Sequence, residues 1–239
     1  MLGAHAPVGK GMIISVLIPT RKRSELVERS VKSLLANASD SSRIEIMIAY
    51  DVDDLESKEY FCSKQWKSVI KSFRTTSQVF ETPVWGYNSL HTYYNFLSEK
   101  SKGQWLLIWN DDALMKSDGW DIHVEANKDF VGLLHMVTEN YRSKFALFPL
   151  IPRTWIELFG YVGEIPVDSW IHHICLEAQA IKIIEPVTYH DRYDMTGNNL
   201  DETYQNRDTS AIKKNYKSEE SRAVRHQWAQ KLKNYIDTL

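Results

Sequence analysis

The stretch of sequence that decides the fold lies near the start of the chain and reads Ile14-Ser15-Val16-Leu17-Ile18-Pro19-Thr20-Arg21. The run of apolar and β-branched residues extends from Ile13 to Ile18 and ends at Pro19, which is the pattern of a buried strand. Ser24-Glu25 then favours the start of a helix. Apolar residues recur after it at helical spacing, at Val27, Val31, Leu34 and Leu35. The stretch therefore predicts a strand, a turn and a helix.

Two further apolar runs end in acidic clusters. Residues 44–49 are followed by Asp51-Val52-Asp53-Asp54, and residues 104–109 are followed by Asn110-Asp111-Asp112. A strand, a helix and a second strand in this order predict a right-handed βαβ unit, because parallel strands need a crossover connection. The chain is therefore expected to be an α/β protein with a mostly parallel central sheet flanked by helices.

The rest of the chain carries the patterns of further strands and helices. Strands are expected at residues 74–81, 131–137, 146–150 and 181–184. Helices are expected at residues 55–72, 87–97, 167–178 and, as a short element, from Pro152 to near Gly160. Residues 194–212 are polar and predict a mobile loop.

The last predicted helix begins after Ser218, a capping residue. Its apolar stripe consists of Val224, Trp228, Leu232 and Tyr235. Such a stripe favours packing on the chain's own domain, and a partner or membrane surface is the alternative.

Composition limits the class of protein. The 239 residues suffice for one domain with a sizeable core, and 43% hydrophobic with 25% charged residues is typical of chains that fold in water. The net charge of −2 gives no electrostatic reason to expect nucleic acid as a partner. Cys62 and Cys175 lie far apart, which argues against a disulfide framework and favours a cytoplasmic location. The apolar run at residues 12–18 is too short to span a membrane, so no transmembrane segment is predicted.

Polar side chains follow three of the predicted strands, at the sheet edge where open parallel sheets bind ligands. They are Thr20-Arg21, Asp51 with Asp53, and Asn110-Asp111-Asp112. No glycine-rich phosphate loop follows these strands, so bound phosphate would need another positive charge. The adjacent carboxylates Asp111 and Asp112 repel each other unless a cation or hydrogen-bond donors compensate, and oxygen ligands suit Mg²⁺ or Mn²⁺. A solvated turn or a helix cap is the alternative explanation of this pair.

Three segments together resemble the family 2-like glycosyltransferases of the GT-A fold: residues 14–21, residues 46–51 and Trp105-Leu106-Leu107-Ile108-Trp109-Asn110-Asp111-Asp112. The resemblance implies a Rossmann-like GT-A sandwich at residues 12–192. The side chains that it implies around the nucleoside are Pro19, Thr20, Arg21, Asp51 and Asp53. Asn110 and Asp111 would lie near ribose and phosphates, and Asp112 would bind the metal.

The resemblance continues on the acceptor side, in residues 159–170, where the family has an acidic residue before a helix. It implies Asp168 as the general base of an inverting transfer, because a carboxylate can take the proton of an acceptor hydroxyl. Glu164 is the second candidate, and a helix cap is the alternative role of Asp168. His190 resembles the third metal ligand of many GT-A enzymes, and Arg192 with Arg207 would neutralise the leaving diphosphate. A structural histidine and ion pairs with nearby aspartates are the alternatives.

The function that the resemblance implies is a metal-dependent transfer of a sugar from a nucleotide-diphosphate donor to a hydroxyl acceptor. A UDP-sugar is the expected donor, Mn²⁺ or Mg²⁺ the expected cofactor, and a glycan or glycoconjugate the expected acceptor. Residues 193–239 are expected to form a polar loop and an amphipathic helix on the same domain.

Two features differ from the family pattern. Asp51-Val52-Asp53-Asp54 stands where the family has an acidic-Gly-Ser turn, and Asn110 stands in place of the first Asp of the metal motif. Two alternatives therefore stay open. One is a non-catalytic relative that binds carbohydrate or nucleotide, since function diverges on a shared fold. The other is a sugar-phosphate nucleotidyltransferase, although residues 19–23 lack the glycines that its phosphate loop would need.

Overall fold

The computed structural model describes residues 14–141, 145–205, 207 and 209–239. Residues 12 and 13, where the predicted domain and the predicted first strand begin, lie outside the described residues. The strands are β1 (Ile14–Thr20), β2 (Ile44–Asp51), β3 (Thr76–Thr82), β4 (Trp105–Ile108), β5 (Ala113–Met115), β6 (Leu133–Thr138), β7 (Leu150–Pro152) and β8 (Ile181–His190).

The α-helices cover the sheet and connect its strands. They are α1 (Ser24–Ala36), α2 (Leu55–Cys62), α3 (Lys64–Ser72), α4 (Leu90–Lys100), α5 (Trp120–Glu125), α6 (Thr154–Phe159), α7 (Val167–Glu177), α8 (Tyr193–Thr196), α9 (Glu202–Gln205), α10 (Thr209–Tyr216) and α11 (Glu219–Ile236). Short 3₁₀ turns lie at Ser41–Arg43 and Tyr87–Ser89.

The strands form one sheet within the described residues, in the order β3-β2-β1-β4-β7-β6-β8-β5. β1 pairs in parallel with β2 and β4, β2 with β3, and β6 with β8. β7 is antiparallel to both of its neighbours, and β5 is antiparallel to β8. The prediction of a mostly parallel α/β sheet flanked by helices is confirmed.

Both faces of the central strands are buried, which explains why β1 and β2 are continuous apolar runs. Val16 and Ile18 belong to one apolar cluster with Val27 of α1. Leu17 lies between them in the chain and belongs to the opposite cluster, with Leu97 of α4. Because β1 pairs in parallel with β2 and β4, the carboxyl ends of these three strands open at the same edge of the sheet.

Local predictions about capping residues need correction. Residues 55–72 form two helices rather than one, because the Oγ of Ser63 accepts the N–H of Trp66 at 3.2 Å and so starts α3. Ser24 is the first helical residue of α1 rather than its cap, and its hydroxyl donates to Glu56 at 3.3 Å. Local sequence alone does not show which donor or acceptor group a serine hydroxyl bonds to.

The predicted ends of several strands are also wrong. Only Leu150 of the predicted strand 146–150 lies in β7, and Pro152 ends that strand instead of starting a helix. The predicted strand 181–184 continues to His190 as β8, with an irregularity in its pairing with β6 that accommodates Pro186. The predicted loop 194–212 contains parts of α8 and α10 and all of α9.

The C-terminal helix packs on the rest of the fold. The ring of Trp228 on α11 stacks on Phe159 of α6 at a centroid distance of 4.2 Å, and Leu232 is fully buried in the same cluster. The apolar stripe of this helix therefore serves the core, while the division of the chain at residue 192 stays a prediction. Among the described helices, none is both long enough and apolar enough to cross a membrane.

Candidate functional site

Asp51 ends β2 and is the centre of the predicted nucleoside site. It is buried, and both of its carboxylate oxygens accept hydrogen bonds. Oδ2 accepts from Nη1 of Arg21 at 2.8 Å, and Oδ1 accepts from the hydroxyl of Tyr93. Arg21 also pairs with Asp53, whose side chain is half exposed. Two donors, one directly after β1 and one on α4, thus fix the position of the Asp51 carboxylate.

The hydroxyl of Tyr93 also organises the loop before α4. It accepts the backbone N–H groups of Trp85 and Gly86 at 3.1 Å each. Gly86 has a φ of 76°, and a Cβ there would meet no atom within 4 Å, so this glycine is required by its backbone conformation. Burial, together with the hydrogen bond to Asp51, raises the pKa of the Tyr93 phenol to about 12. Tyr93 therefore stays a donor at neutral pH.

Asp111 follows β4 and is compensated by residues of the β1–α1 turn. Its Oδ2 accepts from Thr20 Oγ1 at 2.8 Å, and its Oδ1 accepts from Arg23 Nη1 at 3.1 Å. Burial raises the pKa of this carboxyl to about 6, although Arg23 acts in the opposite direction. Arg23 also pairs with Asp201. Hydrogen-bond donors from the chain thus replace solvent around Asp111.

His190 lies beside Asp112. Its Nε2 is 3.0 Å from Oδ1 of Asp112 and 3.2 Å from Nδ2 of Asn110, and the hydroxyl of Tyr94 donates to Oδ1 of Asn110 at 2.9 Å. Burial raises the pKa of Asp112, but the hydrogen bond with His190 and the charges nearby outweigh it and leave the pKa below its ordinary value. Nδ1 of His190 is buried with no hydrogen-bond partner among the described residues.

The residues of this site fit part of a metal coordination sphere. In the described part of the chain, no group of three or more His, Cys, Asp or Glu side chains is placed to hold a metal ion. Asp112 and His190 do supply an oxygen and a nitrogen 3.0 Å apart. Neighbouring ligands of an octahedral Mg²⁺ at 2.0–2.1 Å are separated by about 3 Å. The pair can therefore supply two ligands, and the others would have to come from a bound diphosphate and water.

Asp168 lies in the first turn of α7, two residues after the capping position at Pro166. The structure therefore does not support the alternative prediction that it caps this helix. Its Oδ1 accepts the backbone N–H of Ser169 at 2.7 Å. Burial raises the pKa of this carboxyl, and the charge of Arg192 partly offsets the increase.

Two adjoining cavities contain most of the predicted site residues. The first, which we call the donor cavity after the role predicted for its residues, has a volume of about 130 Å³, and nine predicted residues line it: Pro19, Thr20, Arg21, Asp51, Asn110, Asp111, Asp112, Arg192 and Arg207. The second, which we call the acceptor cavity after the role predicted for Asp168, has a volume of about 500 Å³ and is lined by Asp168 and His190. Asn110, Arg192 and Tyr94 line both cavities.

Two predicted residues lie outside both cavities. Asp53 pairs with Arg21 and keeps 50% of its side chain exposed. Glu164 faces His91, with 3.4 Å between Oε2 and Nε2. The structure places neither residue in the lining of a cavity, and the roles of both stay predictions.

The positive charges of the donor cavity are already paired. Arg192 donates from Nε and Nη2 to Asp194 at 2.6 and 3.0 Å, which is one of the ion pairs expected from the sequence. Arg207 lies 3.5 Å from Asp194 and stacks on Tyr204 at 3.6 Å. Both arginines line the donor cavity, so a bound diphosphate would compete with Asp194 for them.

Seven residues that were not predicted from the sequence also line the donor cavity: Arg23, Gly86, Tyr87, Leu90, Tyr93, Tyr94 and Tyr204. A signal existed for Arg23, because it lies in the basic run directly after β1. The tyrosines carried no such signal, because tyrosine occurs both in cores and on surfaces.

Comparisons with known proteins agree with this fold. No protein-family model matches the chain, and no curated protein matches it in sequence. Among solved structures, the mannosyltransferase PcManGT from Pyrobaculum calidifontis, in complex with GDP-Man and Mn²⁺, is 15% identical with a TM-score of 0.58 over 75% of this chain and 56% of that chain.

Another similar structure is S. aureus TarS 1-349. Its complex with UDP is 13% identical with a TM-score of 0.53 over 74% of this chain and 60% of that chain. Its complex with UDP-GlcNAc is 12% identical with a TM-score of 0.51 over 80% and 62%. This chain thus spans little more than half the length of the structures that it matches.

At such low identity, the likeness concerns the fold alone, and the narrower resemblance to family 2 stays a prediction. Three observations agree on the fold: the sheet order, the acidic residues at the carboxyl ends of β2 and β4, and the similarity to these structures. The chain has the fold of the GT-A-type glycosyltransferases.

Proposed function

We propose that this chain is a metal-dependent glycosyltransferase that moves a sugar from a nucleotide-diphosphate donor to a hydroxyl acceptor, with inversion. The observation that carries the proposal is the junction of the two cavities. Asp112 lies in the donor cavity, Asp168 lies in the acceptor cavity, and Asn110 and Arg192 line both. A transferase needs such a junction, because donor and acceptor must meet at one carbon atom.

In this proposal the donor cavity holds the nucleotide. Pro19 and Thr20 would contact the nucleoside beside Asp51, whose carboxylate is fixed in place by Arg21 and Tyr93. PcManGT was solved with GDP-Man and TarS with UDP-GlcNAc, which supports a nucleotide-sugar donor. We propose a UDP-sugar, as the sequence resemblance implies.

Asp112 and His190 would hold Mn²⁺ or Mg²⁺ between the protein and the diphosphate. The 3.0 Å separation of their ligating atoms and the buried position of both side chains support this role. A divalent cation bound there supplies positive charge against the negative charge of the leaving diphosphate. Arg192 would add a second positive charge on the same side once it leaves Asp194.

Asp168 would act as the general base. The acceptor oxygen would bond to the anomeric carbon as the bond from that carbon to the diphosphate oxygen breaks, and the hydroxyl proton would pass to a carboxylate oxygen of Asp168. Removal from water raises the pKa of Asp168, which makes its carboxylate a better proton acceptor near neutral pH. Attack from the acceptor cavity, opposite the diphosphate, gives inversion.

The test is calorimetric titration of the protein with UDP and with GDP, each with and without Mn²⁺. The assay continues with hydrolysis of a panel of UDP-sugars, measured as release of UDP. We expect Mn²⁺-dependent binding of UDP and slow hydrolysis of at least one UDP-sugar. Failure of both nucleotides to bind, with or without Mn²⁺, contradicts the proposed function. Asp129 is exposed and lines neither cavity, so Asp129→Ala offers a control.

A further inference from the structure

The residues that line both cavities surround the place where the transferred sugar would lie. In the proposed function, the anomeric carbon of the donor lies at the junction of the cavities, because the acceptor attacks it there. The sugar that carries this carbon would therefore contact residues of the junction. Within the described part of the chain, five residues line both cavities: Tyr87, Leu90, Tyr94, Asn110 and Arg192.

Three of the four polar side chains at the junction already have hydrogen-bond partners. The hydroxyl of Tyr94 donates to Oδ1 of Asn110 at 2.9 Å, and Nδ2 of Asn110 lies 3.2 Å from Nε2 of His190. Arg192 donates from Nε and Nη2 to a neighbouring carboxylate at 2.6 and 3.0 Å. The hydroxyl of Tyr87 has no hydrogen-bond partner among the described residues. A ligand can therefore bond to this hydroxyl without displacing a partner within the protein.

The phenol oxygen of Tyr87 lies near the other polar groups of the junction. It is within range of an electrostatic interaction with the hydroxyl of Tyr94 and with the guanidinium of Arg192. The residue is partly buried, so its ring is not a freely moving surface group. A phenol both donates and accepts hydrogen bonds, which suits a partner that is itself a hydroxyl group.

The backbone that carries Tyr87 is connected to the predicted nucleoside site. Tyr87 begins the 3₁₀ turn that precedes α4. The residue before it, Gly86, donates its N–H to the hydroxyl of Tyr93 at 3.1 Å, and the same hydroxyl donates to Asp51. These bonds hold Tyr87 at a fixed distance from Asp51. Since nucleoside and sugar belong to one donor molecule, this connection favours the sugar of the donor, rather than the acceptor, as the partner of Tyr87.

We infer that Tyr87 is a specificity-determining residue for the donor: its hydroxyl forms a hydrogen bond with a hydroxyl group of the transferred sugar. This inference rests on the proposed function, because it names the residue that recognises the sugar of the proposed donor. A protein group that bonds to a substrate hydroxyl discriminates against compounds that lack this hydroxyl. Tyr87 thus selects among sugars carried by the same nucleotide.

The test is calorimetric titration in the presence of Mn²⁺ with UDP, UDP-glucose, UDP-galactose and UDP-N-acetylglucosamine. The ratio of the dissociation constant of each UDP-sugar to that of UDP gives the contribution of the sugar to binding. Tyr87→Phe keeps the ring and removes one oxygen atom. It should weaken the contribution of at least one sugar by about 2–10-fold, the range for one hydrogen bond between neutral groups, and leave the affinity for UDP unchanged.

Tyr235→Phe is the matched control, because Tyr235 is also partly buried and lines neither cavity. It should leave all four affinities unchanged. Sugar contributions that are the same in Tyr87→Phe and in the unmodified protein overturn the inference and leave the proposed function standing. Equal weakening of UDP and the UDP-sugars also overturns it, because Tyr87 would then support the nucleotide. Failure of the unmodified protein to bind UDP contradicts the proposed function itself, and the inference with it.

Discussion

Nε2 of His190 lies 3.0 Å from Oδ1 of Asp112, although 78 residues separate them in the sequence. The contact follows from strand register: Ala113 on β5 pairs with His190 on β8, and the backbone N–H of Asp191 donates to the carbonyl of Asp112. The backbone therefore fixes both side chains, so the pair does not depend on a flexible loop. This pair is the strongest candidate for binding the cation.

The first prediction concerns that pair. Asp112→Ala or His190→Ala removes one of two ligands, so each should weaken the Mn²⁺-dependent part of UDP binding by about 10–100-fold or more. Titration of UDP with and without Mn²⁺ measures this part directly. Asp129→Ala should behave as the unmodified protein. Binding of UDP that needs no metal and survives Asp112→Ala would remove the proposed metal site.

The second prediction separates Asp51 from Asp53, which the sequence placed together at the nucleoside. Asp51→Asn changes a buried carboxylate fixed by Arg21 and Tyr93. The free energy that this change removes from nucleotide binding should exceed the free energy that it removes from folding. Asp53→Asn changes an exposed group outside the donor cavity and should have little effect on affinity. Calorimetry and thermal melting of the two variants test this. Equal affinities of both variants and the unmodified protein would reduce Asp51 to a structural role.

The third prediction concerns Arg23, whose guanidinium lies 3.1 Å from Asp111 and 3.9 Å from Asp112. Arg23→Met keeps the apolar length of the side chain but leaves two buried carboxylates without this charge, so the melting temperature should fall. The same change should strengthen binding of Mn²⁺ in the absence of nucleotide, because a competing positive charge is gone. Thermal melting and titration with Mn²⁺ alone measure the two effects. Weaker Mn²⁺ binding would mean that Arg23 organises the site instead of competing with the cation.

These residues show what could be predicted from the sequence. β1, β2 and β4 were predicted because burial on both faces makes them continuous apolar runs, and their polar ends then locate the donor cavity. β5 was missed because three residues carry too little pattern to predict a strand. The roles of Arg23 and Tyr93 depend on contacts with Asp111 after β4 and with Asp51 at the end of β2, which local sequence does not encode. The sequence could not separate Asp53 from Asp51, because the pattern of a turn does not show which carboxylate lines a cavity.

The fourth prediction concerns stability in acid and depends on His172. This side chain is buried, and burial lowers its pKa from 6.5 to about 4, with the charges of His173 and His135 acting in the same direction. The unfolded chain therefore binds more protons than the folded chain between pH 6.5 and 4, so the free energy of unfolding should fall as the pH falls through this window, by about 3 kcal/mol. His172→Asn keeps an acceptor for the N–H of Ala146 and removes the titration. Urea unfolding at several pH values measures the slope. An unchanged slope in the variant would assign the acid sensitivity to other groups.

The last prediction separates catalysis from structure at Asp168. Asp168→Asn keeps an acceptor for the backbone N–H of Ser169 but cannot take a proton, so turnover should fall by about 10²–10⁴-fold with little change in UDP affinity. The raised pKa of Asp168 also gives the sign of a stability effect. The folded chain holds the proton of Asp168 more tightly than the unfolded chain does. The free energy of unfolding therefore decreases as the pH rises through the folded pKa of Asp168. The variant should therefore melt higher than the unmodified protein at pH 7, and this difference should vanish near pH 3.

The two readouts of Asp168→Asn distinguish the possible outcomes. A higher melting temperature with normal turnover would make Asp168 a buried carboxylate without a catalytic role. Glu164→Gln is the comparison, because Glu164 lies outside both cavities against His91 and should leave turnover nearly unchanged. The rate of the unmodified protein should also fall as the pH decreases through the raised pKa of Asp168, because only its carboxylate form can accept the proton. A loss of turnover in Glu164→Gln alone would transfer the role of the base to that residue.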